Sequence, residues 1–313
     1  MSSLNETFSR LSMQRRYEVW FLRLALANGS GAWWFRYLLT NPGRDGCAGS
    51  VSGMPVQVWA TWFPAGGKPQ SFIEPLALSE LNISGKGQSP FRFQAGANEI
   101  GEDYCRGALH ADGHSIAWDL HYRSTFHVTL SSKGWIGFSR TPHSDALFSG
   151  EITLDGDRVA GDPLGFGLQG HNCGFRHRNF WRWTHVYFSR GSSPASTFEA
   201  LVYEMPFGLV FRKAVLWHEG HAHIFRRLRE TNASREDMQW NFSCISPEGL
   251  RLEASIDGSG PRLHRLPYMK TDCSGTFDVL NNSLASASIV IRNSSIPAVK
   301  LETSGGAVLE FVG

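Results

Sequence analysis

The sequence predicts an all-β protein made of two antiparallel β domains in series, preceded by a short N-terminal helix. Of the 313 residues, 33 are glycine, 12% are aromatic and only 19% are charged, which is the balance of strands joined by tight turns. Apolar and polar residues alternate with a period of two along most of the chain. Turn sequences recur about every 8–12 residues, the spacing of a β-sandwich or β-barrel.

The first half begins with the predicted helix, because Leu4, Phe8 and Leu11 recur at helical spacing. The segment 1–16 has no apolar core of the kind found in a secretory signal. Glycine-containing turns at 28–31 and 112–113 predict two hairpins. The strands predicted in this half are 17–24, 32–39, 56–63, 107–114, 115–123, 126–131 and 147–154.

The second half continues the same pattern, with a further hairpin around Glu219-Gly220. Its predicted strands are 181–189, 197–204, 208–219, 221–230, 239–246, 249–256, 275–280, 288–291 and 307–312. The total, roughly sixteen to eighteen strands, exceeds what one open sheet holds before it curls or splits. We therefore predict one domain over 1–160 and a second over 161–313.

Composition and charge also limit the kinds of partner and compartment that we expect. With 30 basic and 28 acidic residues the net charge is +2, which gives no reason to expect a nucleic-acid partner. No stretch of about 18 apolar residues predicts a membrane span. The five cysteines are odd in number and contain no Cys-x-x-Cys pair, so we expect a reduced, cytoplasmic protein without a zinc ribbon.

One predicted strand has an unusual face. Over 181–187, the alternation places Trp181, Trp183, His185 and Tyr187 on the same side. An ordinary core would use aliphatic residues there, so an aromatic face with one imidazole suits a pocket for a large apolar ligand. Plain core packing is the alternative for these side chains.

The same region resembles the superfamily of carotenoid 1,2-hydratases, tocopherol-cyclase-like proteins and AttH-like proteins. In that superfamily a motif of roughly Asp-His-Gln-Trp-Gly precedes a Trp-x-Trp strand, and here the matching segments are 170–174 (Gly-His-Asn-Cys-Gly) and 181–183 (Trp-Arg-Trp). Residues 149–156, which precede this motif, also resemble the corresponding segment of that superfamily. The resemblance implies two tandem lipocalin-like barrels and chemistry on isoprenoid or polyene chains, in which an alkene is protonated and the resulting cation is stabilised.

The chain departs from that motif at two positions. Gly170 stands where the family has its acid, and Cys173 stands where it has tryptophan. We therefore expect His171, helped by Asn172 and His185, to carry the proton chemistry. A histidine that only braces the backbone is the alternative for His171.

The predicted substrate-binding residues are Trp181, Trp183, Tyr187, Glu199 and Tyr203. Glu199 and Tyr203 alternate in phase on one strand, and an inward Glu199 in an apolar pocket would have a raised pKa. Exposure of that strand face is the alternative. In the first half, Arg36 and the in-phase residues Asp119, His121 and Arg123 form either a buried ion network or a solvent-facing surface.

No metal or organic cofactor is implied. His218, His221 and His223 flank a hairpin turn, but such a tip is more often exposed than metal-binding. The sequence thus predicts an enzyme that cyclises, hydrates or isomerises a hydrophobic isoprenoid or polyene substrate without a cofactor. The alternatives are a pericyclase that folds a polyene in its pocket and a non-catalytic carrier of lipid or pigment.

Overall fold

The computed structural model describes residues 3–47, 53–84, 87–88, 90–111, 113–132, 136–190, 193–293 and 296–313. These residues form twenty-two strands, short 3-10 turns and no α-helix. The predicted all-β class is therefore confirmed. No helix of the described chain has the length and apolarity needed to cross a membrane.

The strands form two antiparallel sheets, one after the other in the chain. The first sheet contains β1 (Tyr17–Leu26), β2 (Gly31–Thr40), β3 (Val56–Pro64), β4 (Gln70–Leu76), β5 (Leu81–Ile83), β6 (Arg92–Ala95), β7 (Asn98–Gly101), β8 (Tyr104–Ala111), β9 (His114–Arg123), β10 (Val128–Ser132), β11 (Gly137–Leu154) and β12 (Asp157–Gly174). The second sheet contains β13 (Trp181–Arg190), β14 (Ser193–Glu204), β15 (Val210–His218), β16 (His221–Phe225), β17 (Arg227–Ser234), β18 (Gln239–Ile245), β19 (Arg251–Asp257), β20 (His264–Met269), β21 (Thr276–Asn293) and β22 (Ile296–Val312).

Each sheet curls over its own apolar core. In the first sheet β4 packs against β8, and in the second β15 packs against β17. Trp20, Phe35 and Trp118 are among the large side chains inside the first sheet, and Trp240 and Phe242 lie inside the second. A third apolar cluster lies between the two sheets, and it is this layer that forms the candidate site.

The division between the sheets falls at residues 175–180, whereas the domain boundary expected from the sequence, 160–161, lies inside β12. β12 pairs with β1 over the whole length of β1. The glycines of β12 interrupt the apolar alternation that predicts a strand, but they are needed for close packing. A Cβ added at Gly167 would lie 1.8 Å from the backbone oxygen of Arg23, so only glycine fits.

The predicted N-terminal helix is absent. Residues 3–16 form turns and irregular chain, because long-range contacts satisfy their backbone groups. The amides of Phe8 and Ser9 donate to the two carboxylate oxygens of Glu18, both at 2.7 Å. Trp20 donates its indole N–H to the Asn5 carbonyl.

A disulfide and a buried arginine are among the links that join the sheets. Cys47 and Cys273 form a disulfide, which differs from our expectation of a fully reduced protein. The Arg23 guanidinium of β1 crosses into the second sheet and donates to the backbone carbonyls of Ser283, Gly305, Gly306 and Ala307. Such links fix the spacing of the two sheets, and with it the shape of the space between them.

Candidate active site

A cavity of about 370 Å³ lies between the two sheets. Strands β1, β2, β10, β11, β12, β13, β14, β20 and β22 contribute to its walls, together with the chain that connects the sheets. Its lining residues are Tyr17, Val19, Phe21, Trp34, Arg36, Ser131, Ile136, Gly137, Phe138, Ser139, Asn172, Cys173, Gly174, Phe175, Arg176, His177, Arg178, Trp181, Trp183, Leu201, Tyr203, Pro206, Tyr268 and Glu310.

The period of two along each strand decides which side chains reach the cavity. On β1, Trp20 points into the core of the first sheet, while its neighbours Val19 and Phe21 line the cavity. On β2, Phe35 is in the core, and Trp34 and Arg36 line the cavity. The outer face of the first sheet is thus aromatic where it meets the second sheet.

Aromatic rings form one wall. Phe21 lies 5.3 Å from Trp34, and Trp183 meets Phe21 and Trp34 edge-on at 5.8 and 6.0 Å between ring centroids. Two half-exposed apolar residues, Ile136 and Phe175, also line the cavity and are 38% and 37% exposed. The wall suits the flat or extended body of an apolar ligand.

Next to this wall lies a polar and charged region of the cavity, which we call the polar end. Arg36 is only 3% exposed, and its guanidinium carbon lies 3.8 Å from the Tyr268 ring centroid and 4.7 Å from that of Trp59. Its Nη1 atom is buried and has no hydrogen-bond partner among the described residues. Within the described chain, no carboxylate forms an ion pair with this cation, which faces the cavity.

Glu310 provides a carboxyl group at the same end. Burial raises its pKa above the usual range, while hydrogen bonding from Asn281 and the positive charge of Arg36 act in the opposite direction. The Asn281 amide donates to its Oε1 at 2.9 Å. A carboxyl group that keeps its proton to a higher pH than usual can serve as a general acid.

His177 completes this polar end. Burial, and secondly the charge of Arg36, lower the pKa of His177 to about 3, so the imidazole is neutral at physiological pH. The ring stacks on Tyr17, with 3.9 Å between centroids. Burial raises the pKa values of Tyr17 and Tyr268, which therefore remain neutral hydroxyl groups.

Four of the predicted catalytic and substrate-binding residues line this cavity: Asn172, Trp181, Trp183 and Tyr203. The Oδ1 atom of Asn172 is buried and has no partner among the described residues, so it is available to a bound molecule or water. The Tyr203 hydroxyl lies 3.0 Å from Ser131 Oγ.

His171 does not line the cavity. It neighbours Asn172 on β12, so the alternation turns its ring into the first sheet, where it stacks on Trp20 at 4.7 Å. Its Nε2 lies 2.9 Å from Glu18 Oε1, and its Nδ1 lies 2.9 Å from the Leu4 carbonyl. These two contacts hold the ring inside the first sheet.

His185, Tyr187 and Glu199 also lie outside the cavity. His185 Nε2 is 2.7 Å from the Ser144 carbonyl, and burial lowers the pKa of His185 to about 3. Tyr187 stacks on Phe166. These two residues are on the same strand face as Trp183, but further along β13, where the two sheets are in direct contact.

Glu199 does not line the cavity but supports its aromatic wall through Trp183. It is 2% exposed and accepts hydrogen bonds from the Trp183 indole at 2.8 Å and from the Thr141 hydroxyl at 2.9 Å. Burial raises the pKa of Glu199 to about 7, although both hydrogen bonds act to lower it. Its carboxyl group holds Trp183 rather than contacting a ligand.

Sequence reasoning missed Glu310, His177, Tyr17 and Tyr268, and it left Arg36 undecided. Glu310 lies on the predicted strand 307–312, to which the sequence assigned no function, and His177 lies in the segment between the sheets. Asp119, His121 and Arg123 are exposed on β9. No group of three or more potential metal ligands occurs among the described residues.

In this chain, two lipocalin-like antiparallel sheets enclose an aromatic cavity. Two solved structures are similar to it in fold. A protein described as a candidate AttH from Nitrosomonas europaea is similar with a TM-score of 0.52 and 12% identity, over 95% of this chain and 92% of that chain. Kievitone hydratase from Nectria haematococca is similar with a TM-score of 0.57 and 12% identity, over 100% of this chain and 92% of that chain.

The resemblance that the sequence suggested is therefore confirmed at the level of the fold. No family model matches the chain. No curated protein matches it in sequence.

Proposed function

We propose that this protein is a cofactor-free hydratase, which adds water to, or removes water from, a carbon–carbon double bond of a large apolar substrate such as an isoprenoid or polyene. The observation that carries the proposal is Glu310, a buried carboxyl group with a raised pKa at the polar end of an aromatic cavity. The similarity in fold to a hydratase supports the same class of reaction.

In the proposed reaction, Glu310 donates its proton to one alkene carbon, and a cation develops at the other. The faces of Trp181 and Trp183 stabilise that cation through their π electrons. A water molecule, oriented by the unpaired Oδ1 of Asn172, adds its oxygen to the cationic carbon. The proton that this water releases returns to the Glu310 carboxylate, so the net change is the addition of one water.

Incubation in ¹⁸O-labelled water tests the reaction while the substrate is still unidentified. An organic extract from cells that lack the gene is incubated with the purified protein, and untargeted mass spectrometry compares it with a protein-free sample. A hydratase produces, or consumes, pairs of compounds that differ by one water, and newly formed alcohols carry ¹⁸O. A product isomeric with its substrate and without ¹⁸O indicates a cyclase or pericyclase, and a ligand returned unchanged indicates a carrier; either outcome contradicts the proposal.

Glu310→Gln tests the acid. The amide keeps the size of the side chain and its acceptor for Asn281, but it has no acidic proton, so we expect turnover to fall about 10²–10⁴-fold, the usual contribution of a general acid. Glu236→Gln, which changes an exposed carboxyl group in the turn between β17 and β18, is the matched control and should keep full activity. Equal turnover in the two variants would remove Glu310 from the mechanism.

A further inference from the structure

Two buried arginines lie between the sheets, and they differ in one respect. Arg23 has its guanidinium bonded to backbone carbonyls of the second sheet. Arg36 is also buried, at 3% exposed, but its Nη1 faces the cavity without an acceptor among the described residues. A buried charge without a partner lowers the stability of a fold, so an arginine kept in this state points to a ligand that completes it.

Neighbouring side chains hold Arg36 in place without neutralising it. The guanidinium lies over the rings of Tyr268 and Trp59, contacts that fix its plane but provide no acceptor oxygen. Glu310 is the carboxyl group whose pKa responds to the charge of Arg36, yet it accepts hydrogen bonds from Asn281, Trp181 and Tyr268 and forms no ion pair with Arg36 in the described structure. The surrounding groups Tyr17, Tyr268 and His177 are neutral.

We infer that the substrate carries an anionic oxygen, of the carboxylate or enolate type, at one end of its apolar body, and that this oxygen binds Nη1 of Arg36. The inference rests on the proposed use of the cavity as the substrate site. A guanidinium presents its donors in a plane that matches such an oxygen group, and the aromatic wall accepts the remainder of the molecule. A plain hydrocarbon polyene would leave Arg36 unpaired.

This anchor has a consequence for the reaction. With the oxyanion on Arg36, the positive charge at the polar end is compensated before a cation develops near Trp181 and Trp183. The anchored end also sets the distance between the double bond and Glu310. Arg36 is thus a specificity-determining residue, which selects acidic over neutral substrates of the same shape.

A matched pair of fluorescent probes tests the anchor independently of turnover. 1-Pyrenebutyric acid and 1-pyrenebutanol share an aromatic body and differ only in the carboxylate, and both are titrated into the wild-type protein at neutral pH. We expect tighter binding of the acid. In Arg36→Met, the acid should bind about 10–100-fold more weakly, the loss of one charge-assisted hydrogen bond, while the alcohol keeps its affinity.

Arg123→Gln is the control for a general change of charge, because Arg123 is 70% exposed on the first sheet; it should leave both affinities unchanged. The melting temperature of Arg36→Met should equal or exceed that of the wild type, because an unpaired buried charge is removed. Equal binding of both probes by the wild type would overturn the anchor and leave the hydratase proposal standing. A lower melting temperature with parallel loss of both probes would assign Arg36 to structure alone and also overturn it.

Discussion

Gly170 occupies the position where the resembling superfamily carries its acid, and in this chain the Phe21 side chain fills the adjacent space. A Cβ built on Gly170 would lie 2.2 Å from the Phe21 ring, which covers this point of β12. Phe21 is itself part of the aromatic wall beside Trp34 and Trp183. The space of a missing carboxyl group is therefore filled by the pocket wall, and the buried carboxyl at the cavity comes from Glu310 on the opposite sheet.

The position of His171 predicts a structural role. It lies against Glu18 in the first sheet, with both side chains fully buried. His171→Ala should lower the free energy of unfolding by about 3–5 kcal/mol, because the buried Glu18 then keeps only the amides of Phe8 and Ser9 as partners. Chemical denaturation measures this loss. Unchanged stability together with abolished turnover would contradict the structural role and return His171 to the chemistry.

The sequence predicts the surroundings of some side chains better than those of others. Alternation on β13 predicts that Trp181 and Trp183 share a face, and they do line the cavity. The motif draws attention to His171, although its neighbour Asn172 is the one that reaches the cavity. Alternation fixes which residues share a face, but only tertiary packing decides which face meets the cavity. Arg36 and Glu310 could not be joined by sequence alone, because they come from opposite ends of the chain.

At the level of elements, the Trp183 wall depends on the pairing of β13 with β14. Trp183 on β13 and Glu199 on β14 are bonded through the indole N–H and the carboxyl group at 2.8 Å. Thr141 on β11 bonds the same carboxyl group, so a strand of the first sheet takes part in holding the wall. Three elements from two sheets thus meet at a single buried carboxyl.

This carboxyl predicts a pH dependence of stability. Burial raises the pKa of Glu199 from 4.5 to about 7 in the folded protein. Between those values the folded state keeps a proton that the unfolded state releases, so the contribution of Glu199 to stability falls as pH rises through this window. In Glu199→Gln this decline is absent, and its free energy of unfolding should gain up to about 3 kcal/mol relative to wild type between pH 4.5 and about 7.

Urea denaturation across this pH range measures the effect, and the difference should stay constant above about pH 7. Glu236→Gln, at an exposed position, should follow the wild type at every pH. Parallel curves for Glu199→Gln and wild type would show that Glu199 titrates normally and would contradict its burial as a protonated group.

Hairpins are the elements that the sequence predicts well, and long strands are those it predicts poorly. The pair 17–24 and 32–39 corresponds to β1 and β2, because alternation and a glycine turn agree there. The segments 275–280 and 288–291 are parts of one strand, β21, whose pairing with β22 is interrupted by irregularities. β12 is poorly predicted because its glycines interrupt the apolar alternation. The turn residue Asp112 lies outside the described residues.

At the scale of the whole molecule, the site exists only because two sheets are held together. Each curled sheet encloses a core filled by its own side chains, and the cavity lies between the two sheets. The Arg23 contacts and the Cys47–Cys273 disulfide both join the sheets that enclose that space. Two β domains follow from the sequence, but the layer between them does not, because it depends on how their outer faces pack.

The central claim is that ligands bind between the sheets, with an anionic oxygen on Arg36 and an apolar body against Trp34 and Trp183. A crystal structure of the protein with 1-pyrenebutyric acid tests it most directly. We expect the pyrene in this cavity and a carboxylate oxygen about 3 Å from Arg36 Nη1. Pyrene bound within the core of either sheet or on an outer face, with the cavity between the sheets free of it, would contradict this claim.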